Sequence, residues 1–135
     1  MNIGEYIVIN KLYEDSETSV FEAAHHQTGV KVIIKIHADD FPTPQKIERI
    51  KEEFRLGEKL HGEGLANYLE LIRIGNGFGI IQEYFEGTSL DNLIRKNHRL
   101  SLVDFLKIAP KITRALGEMH LQKIVHRDIS ADNIL

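Results

Sequence analysis

Three runs rich in β-branched and aromatic residues fall within the first 36 positions, and they constrain the fold more than any other feature of the chain. Tyr6-Ile7-Val8-Ile9 opens the first, Val20-Phe21-Glu22-Ala23 is the second, and Val30-Lys31-Val32-Ile33-Ile34-Lys35-Ile36 is the third. His26-Gln27-Thr28-Gly29 lies between the last two and reads as a turn ending on glycine. The segment is expected to be a three-stranded antiparallel meander.

The pattern then changes period. Thr43-Pro44 supplies an N-cap residue and a proline at the first helical position, which predicts a helix to about residue 60 with Gly62 or Gly64 as its stop. Ile47, Ile50, Phe54, Gly57 and Leu60 recur at three- and four-residue spacing and mark its inner face. Glu53 falls on that face, whereas Glu52 and Glu58 fall off it. Two further strands follow, Tyr68-Leu69-Glu70-Leu71-Ile72-Arg73-Ile74 and Phe78-Gly79-Ile80-Ile81-Gln82-Glu83-Tyr84-Phe85, joined at Asn76-Gly77 as a hairpin. The glycines around Gly75, Gly77 and Gly79 superficially suggest a phosphate loop, but no helix follows them to present an N-terminus, so the hairpin reading is preferred.

Helical spacing returns in a short segment, 89–96, and in a longer one, 102–122, where Leu102, Phe105, Leu106, Ala109, Ile112, Ala115, Leu116 and Met119 share one apolar face. Pro110 interrupts that pattern, and an interior proline costs about 3 kcal/mol, which predicts a kink near Leu106 or a helix that begins later. The chain ends in a polar loop, His126-Arg127-Asp128-Ile129-Ser130-Ala131-Asp132-Asn133, bracketed by the apolar pairs Ile124-Val125 and Ile134-Leu135, which read as short buried strands.

Composition narrows the functions open to such a fold. Interspersed charges with a net of -3 give no basic footprint for nucleic acid and no polybasic run for anionic membranes. The absence of cysteine removes disulfides, thiolate nucleophiles and Cys-ligated zinc, and fits a reducing cytoplasm. No apolar run approaches the ~18 residues of a membrane helix, and the first residues lack a signal peptide's basic flank and apolar core. A cytoplasmic location is expected.

The closing loop resembles the H-R-D-x-x-x-x-N catalytic loop of eukaryotic-type protein kinases, and the similarity extends over residues 6–135. Val32-Ile33-Ile34-Lys35 is similar to the V-A-I-K of the third kinase strand, and Glu53 stands where the family's helix carries the Glu that pairs with that Lys. Gln82-Glu83-Tyr84-Phe85-Glu86-Gly87 looks like the hinge. Singly, Lys35 could be an ordinary strand-end charge and the polar loop a surface turn; their joint order favours the kinase resemblance.

The resemblance implies an α+β, protein-kinase-like fold: a small lobe of five antiparallel strands and one helix, with its hinge, over residues 1–85, then the first helices of the large lobe over 86–135. It implies ATP and Mg²⁺ as cofactors and a protein hydroxyl as acceptor, in the manner of bacterial Ser/Thr kinases. Lys35 would hold the α- and β-phosphates, Glu53 would brace it, Asp128 would be the base and Asn133 the metal ligand. Leu12, Val20 and Ile33 would enclose the adenine, Gln82 would be the gatekeeper, and Glu83 and Phe85 would offer a carbonyl and an amide. Arg127 would pair with a phosphorylated activation segment.

Several positions depart from the family. Tyr13, Asp15 and Thr18 occupy the three positions of the G-x-G-x-x-G loop, and Glu14 and Glu17 make that loop acidic. Ile33 replaces a small Ala, and neither Ser130 nor Asp132 supplies the loop's usual second cation. The D-F-G Asp and the activation segment lie beyond Asn133 in the family, so the chain is expected to be an inactive fragment of a longer kinase that self-associates through its exposed helical face. The loop with Tyr13, Glu14, Ser16, Thr18, Val20 and Phe21, Y-E-x-S-x-T-x-V-F, more weakly resembles kinase-like domains at the head of large multi-domain bacterial signalling proteins. The alternative is a pseudokinase: a regulatory or interaction module with weak or no ATP binding.

Overall fold

In the computed structural model every residue except Asp128 is described. The chain forms two compact units, residues 1–59 with 66–84, and residues 60–65 with 85–135.

In the first unit the described residues form one antiparallel sheet of six strands: β1 (Asn2–Ile3), β2 (Tyr6–Glu14), β3 (Thr18–His25), β4 (Lys31–His37), β5 (Tyr68–Ile74) and β6 (Gly77–Glu83). Their spatial order is β1-β2-β3-β4-β6-β5. The meander and the Asn76-Gly77 hairpin are therefore present, and Asn2–Ile3 adds a strand to the five expected. Gly4 permits this addition, because its φ of +56° turns the chain back so that Ile3 faces Tyr6. Ile3 is then buried beside Phe21, Ala23, Val32, Ile34 and Ile81, which make up the core on one face of the sheet.

Helix α1 (Pro44–Gly57) packs on β5 and β6. The Thr43 hydroxyl caps it by accepting from the Lys46 amide, and proline begins it without sacrificing an internal bond. It stops three residues before the predicted boundary, at the buried Gly57, with Glu58 as C-cap. The inner face otherwise follows the spacing: Ile50 is buried, Ile47, Glu53 and Phe54 are half-buried, and Glu52 and Glu58 are exposed.

Among its described residues the second unit holds α2 (Leu90–Asn97), α3 (Leu102–Leu121) and a 3-10 turn (Ala131–Asn133). Ser89 and Ser101 cap the two helices through their hydroxyls, and His98 closes α2 in the left-handed region at φ 63°. Helix α3 begins at Leu102 and runs through Pro110, so the expectation of a later start is corrected. The cap at Ser101 and the acidic Asp104 in the first turn stabilise a start that the proline alone argued against. The apolar pairs 124–125 and 134–135 form no strands. The Ile124 amide donates to the Met119 carbonyl, and the Ile134 carbonyl accepts from the Leu90 amide at 2.8 Å, so these backbone groups serve helix ends rather than a ladder.

Candidate functional site

Strand register decides which side chains can meet. Val20 lies opposite Lys35, Lys35 opposite Ile80, and Ile33 opposite Gln82. Directly opposed residues, and residues two apart on a strand, share a face. Val20, Ile33, Lys35 and Gln82 therefore stand together on the face opposite the Phe21–Ile34–Ile81 core.

On that face the Lys35 ammonium donates to both carboxylate oxygens of Glu53, each at 2.8 Å. The side chains are 29% and 34% exposed, so the pair is partly shielded and its charge-assisted bonds are stronger than those of a fully solvated pair. The pairing fixes a long, flexible Lys in an extended geometry while leaving its side chain partly exposed. A cation so held can meet a second anion without first losing rotamer freedom.

Sequence reasoning missed a third member. Tyr68, on β5 opposite Gln82, donates its hydroxyl to Glu53 Oε1 at 3.2 Å. Burial, and then the Glu53 charge, push the phenol well above its usual ionisation range, so Tyr68 stays a donor. Its ring lies over Gly57, where an added Cβ would come within 2.5 Å of the ring carbons. Gly57, on the inner face of the helix four residues after Glu53, signals room for a large side chain opposite, but the sequence alone does not say that Tyr68 fills it.

The same region opens into a cleft of about 190 Å³ lined by Thr18, Lys35, His37, Lys46, Arg49 and Glu53, among others. Its cations are already paired, Lys46 with Asp39 and Arg49 with Glu17 at 3.7 Å.

The other predicted residues are distributed as follows. Leu12 sits at a register shift between Lys11 and Tyr13 and is 53% exposed, while Val20, Ile33 and Gln82 are half-buried. Glu83 binds Asn67 twice, its amide donating to the Asn67 carbonyl at 2.9 Å and its carboxylate accepting from Nδ2 at 2.6 Å. Phe85 belongs to the second unit and is 42% exposed. Asn133, also in the second unit, ends the 3-10 turn with its amide donating to the Ser130 carbonyl at 3.1 Å. The expected base, Asp128, lies outside the described residues.

The glycine-free loop between β2 and β3 closes on itself. Asp15 Oδ1 accepts from the amides of Glu17 and Thr18 at 2.8 and 2.7 Å, and Oδ2 accepts from the Tyr13 hydroxyl at 2.9 Å. Those two amides, then the Tyr13 hydroxyl and the Lys35 charge, hold the Asp15 carboxyl below its usual range.

Among the described residues, no three His, Asp or Glu side chains are placed to hold a metal ion. Asn133 offers a hard carbonyl oxygen, which suits Mg²⁺ when phosphate oxygens complete the shell.

Comparison with known proteins identifies the family. The protein kinase domain family matches residues 6–135. Serine/threonine-protein kinase PknA of Mycobacterium tuberculosis is 32% identical over 138 residues, covering 98% of this chain and 32% of that kinase. A probable inactive serine/threonine-protein kinase of Dictyostelium discoideum is 35% identical over 86 residues, 64% of this chain and 7% of the relative. The chain thus spans about a third or less of these relatives. Among solved structures, the apo form of PpkA-294 superposes with a TM-score of 0.85 at 20% identity, covering 98% of this chain and 54% of that one, a likeness of fold. Matched by the family from its long second strand to its last residue, and by a solved fold over nearly its whole length, the chain belongs to the protein kinase domain family.

Proposed function

We propose that this chain supplies the nucleotide-phosphate-binding half of a Ser/Thr protein kinase, whose intact form transfers the γ-phosphate of ATP to a protein hydroxyl. The observation that carries this reading is the bond of Lys35 to both oxygens of Glu53 on the face shared with Val20, Ile33 and Gln82. Lys35 neutralises and orients phosphate oxygens, Glu53 holds Lys35 extended, and Tyr68 holds Glu53. Val20, Ile33 and Leu12 give the base an apolar enclosure, and the backbone at Glu83 and Phe85 gives it polar edges. Asp128 takes the proton of the attacking hydroxyl, and Asn133 offers its amide oxygen to Mg²⁺. Bound Mg²⁺ supplies charge neutralisation across the phosphates during transfer.

The experiment is phosphoryl transfer by the intact protein to itself or to a generic protein substrate, followed with labelled ATP. Transfer should occur in the wild type and be lost in Asp128→Asn. Undiminished transfer in that variant contradicts the assignment of the base.

A second reading has an observation of its own. The loop facing the phosphates carries no glycine and satisfies its amides with Asp15, which favours a pseudokinase acting as a regulatory module. The similarity to a probable inactive kinase points the same way. Mg²⁺-ATP binding without transfer, or no binding, would support it.

A further inference from the structure

The hairpin tip between β2 and β3 is satisfied from within. At the tip of a phosphate-binding loop, backbone amides are what incoming phosphate oxygens would take. Here the amides of Glu17 and Thr18 already point at Asp15 Oδ1, at 2.8 and 2.7 Å. The tip is held in that shape by three further bonds. The Asp15 amide donates to the Thr18 carbonyl at 2.9 Å, the Tyr13 hydroxyl donates to Asp15 Oδ2 at 2.9 Å, and the Ala38 amide donates to the Glu17 carbonyl at 3.0 Å. The Lys35 charge also acts weakly on the Asp15 carboxylate, so an anion drawn to Lys35 would feel the negative charge of Asp15 as well.

We propose that Asp15 is a specificity-determining residue that holds the loop amides in place of phosphate, so that the small lobe discriminates against polyphosphates without weakening its hold on the nucleoside. The proposal rests on the reading of Lys35 as the phosphate-facing cation. A triphosphate must displace the carboxylate from two amides or bind beside its negative charge, and either course costs affinity. Adenosine, lacking phosphates, meets neither obstacle.

Calorimetric titration of the intact protein with Mg²⁺-ATP and, separately, with adenosine tests this in the wild type, Asp15→Ala, Asp15→Asn and Lys35→Ala. Asp15→Ala should tighten Mg²⁺-ATP binding about two- to fivefold, the range of one exposed charge interaction, and leave adenosine binding unchanged. Asp15→Asn keeps an acceptor oxygen for the amides and should recover part of that gain. An equal shift for both ligands would mark Asp15 as merely structural and overturn the proposal. Should Asp15→Ala leave Mg²⁺-ATP affinity unchanged or lower it while Lys35→Ala still weakens it, the role of Asp15 is wrong and the reading of Lys35 stands. If no form takes up Mg²⁺-ATP, both fall together.

Discussion

At the scale of residues, the chain's chemistry gathers on Lys35, Glu53 and Tyr68. Replacing Tyr68 by Phe removes the hydroxyl that steadies Glu53 and leaves a half-buried carboxylate with one partner fewer. A loss of about 1 kcal/mol in unfolding free energy is expected by denaturant titration. The alkaline limb gives a second readout. A phenol whose folded pKa is raised above its ordinary value of 10.0 contributes stability that is fully present below pH 10.0 and is lost as pH rises beyond it. Tyr68→Phe should therefore flatten the fall in stability above that pH, and an unchanged limb would show that Tyr68 does not cause it. Gly57→Ala opposes two effects: alanine is better in a helix by about 1 kcal/mol, but its Cβ would meet the Tyr68 ring at 2.5 Å, an overpacking worth about 1–3 kcal/mol. The clash should win. In a Tyr68→Ala background the same change should become neutral or stabilising, which a double-mutant cycle reads directly. The Lys35–Glu53 pair was expected from the kinase resemblance, and helical spacing added that Glu53 faces inward. Tyr68 was not legible, because its role depends on β5 meeting α1, a contact distant in sequence.

The elements followed local chemistry where that chemistry was decisive. Among the described residues the three α-helices each begin at a hydroxyl cap, and Thr43→Ala should cost α1 about 1 kcal/mol, seen as a lower denaturation midpoint with an unchanged slope. If the midpoint does not move, the cap contact at Lys46 contributes nothing. Boundaries were harder where packing outweighed pattern. Leu60 continues the apolar spacing of α1, yet the helix stops at Gly57, and residues 60–65 group with the second unit. Pro110 argued for a kink or a later start, and the later start does not occur, since the Ser101 cap holds the beginning of this twenty-residue helix at Leu102. The pairs around the closing loop are apolar enough for strands, but a strand needs a ladder partner, and their backbone groups bond to helix ends instead. The closed hairpin tip was foreseen as acidic; its self-bonding depended on geometry that the residue types do not reveal.

Across the whole molecule, the kinase order of strands and helices was readable because each strand and helix carried its own period, while the short β1 edge escaped notice for want of any period in two residues. The apolar face of α3 remains open at its start, where Leu102 and Leu106 are 72% and 59% exposed. Light scattering on this 135-residue chain should accordingly show mass rising with concentration, and Leu106→Glu should suppress the rise. A constant monomer mass in the unaltered chain would count against that. The central claim concerns the other unit: that Lys35, held by Glu53, faces nucleotide phosphates. Calorimetric titration of Mg²⁺-ATP into the intact protein and its Lys35→Ala variant tests it most directly. Micromolar binding that disappears in the variant is the predicted result; equal binding in both, or none in the wild type, would contradict the account.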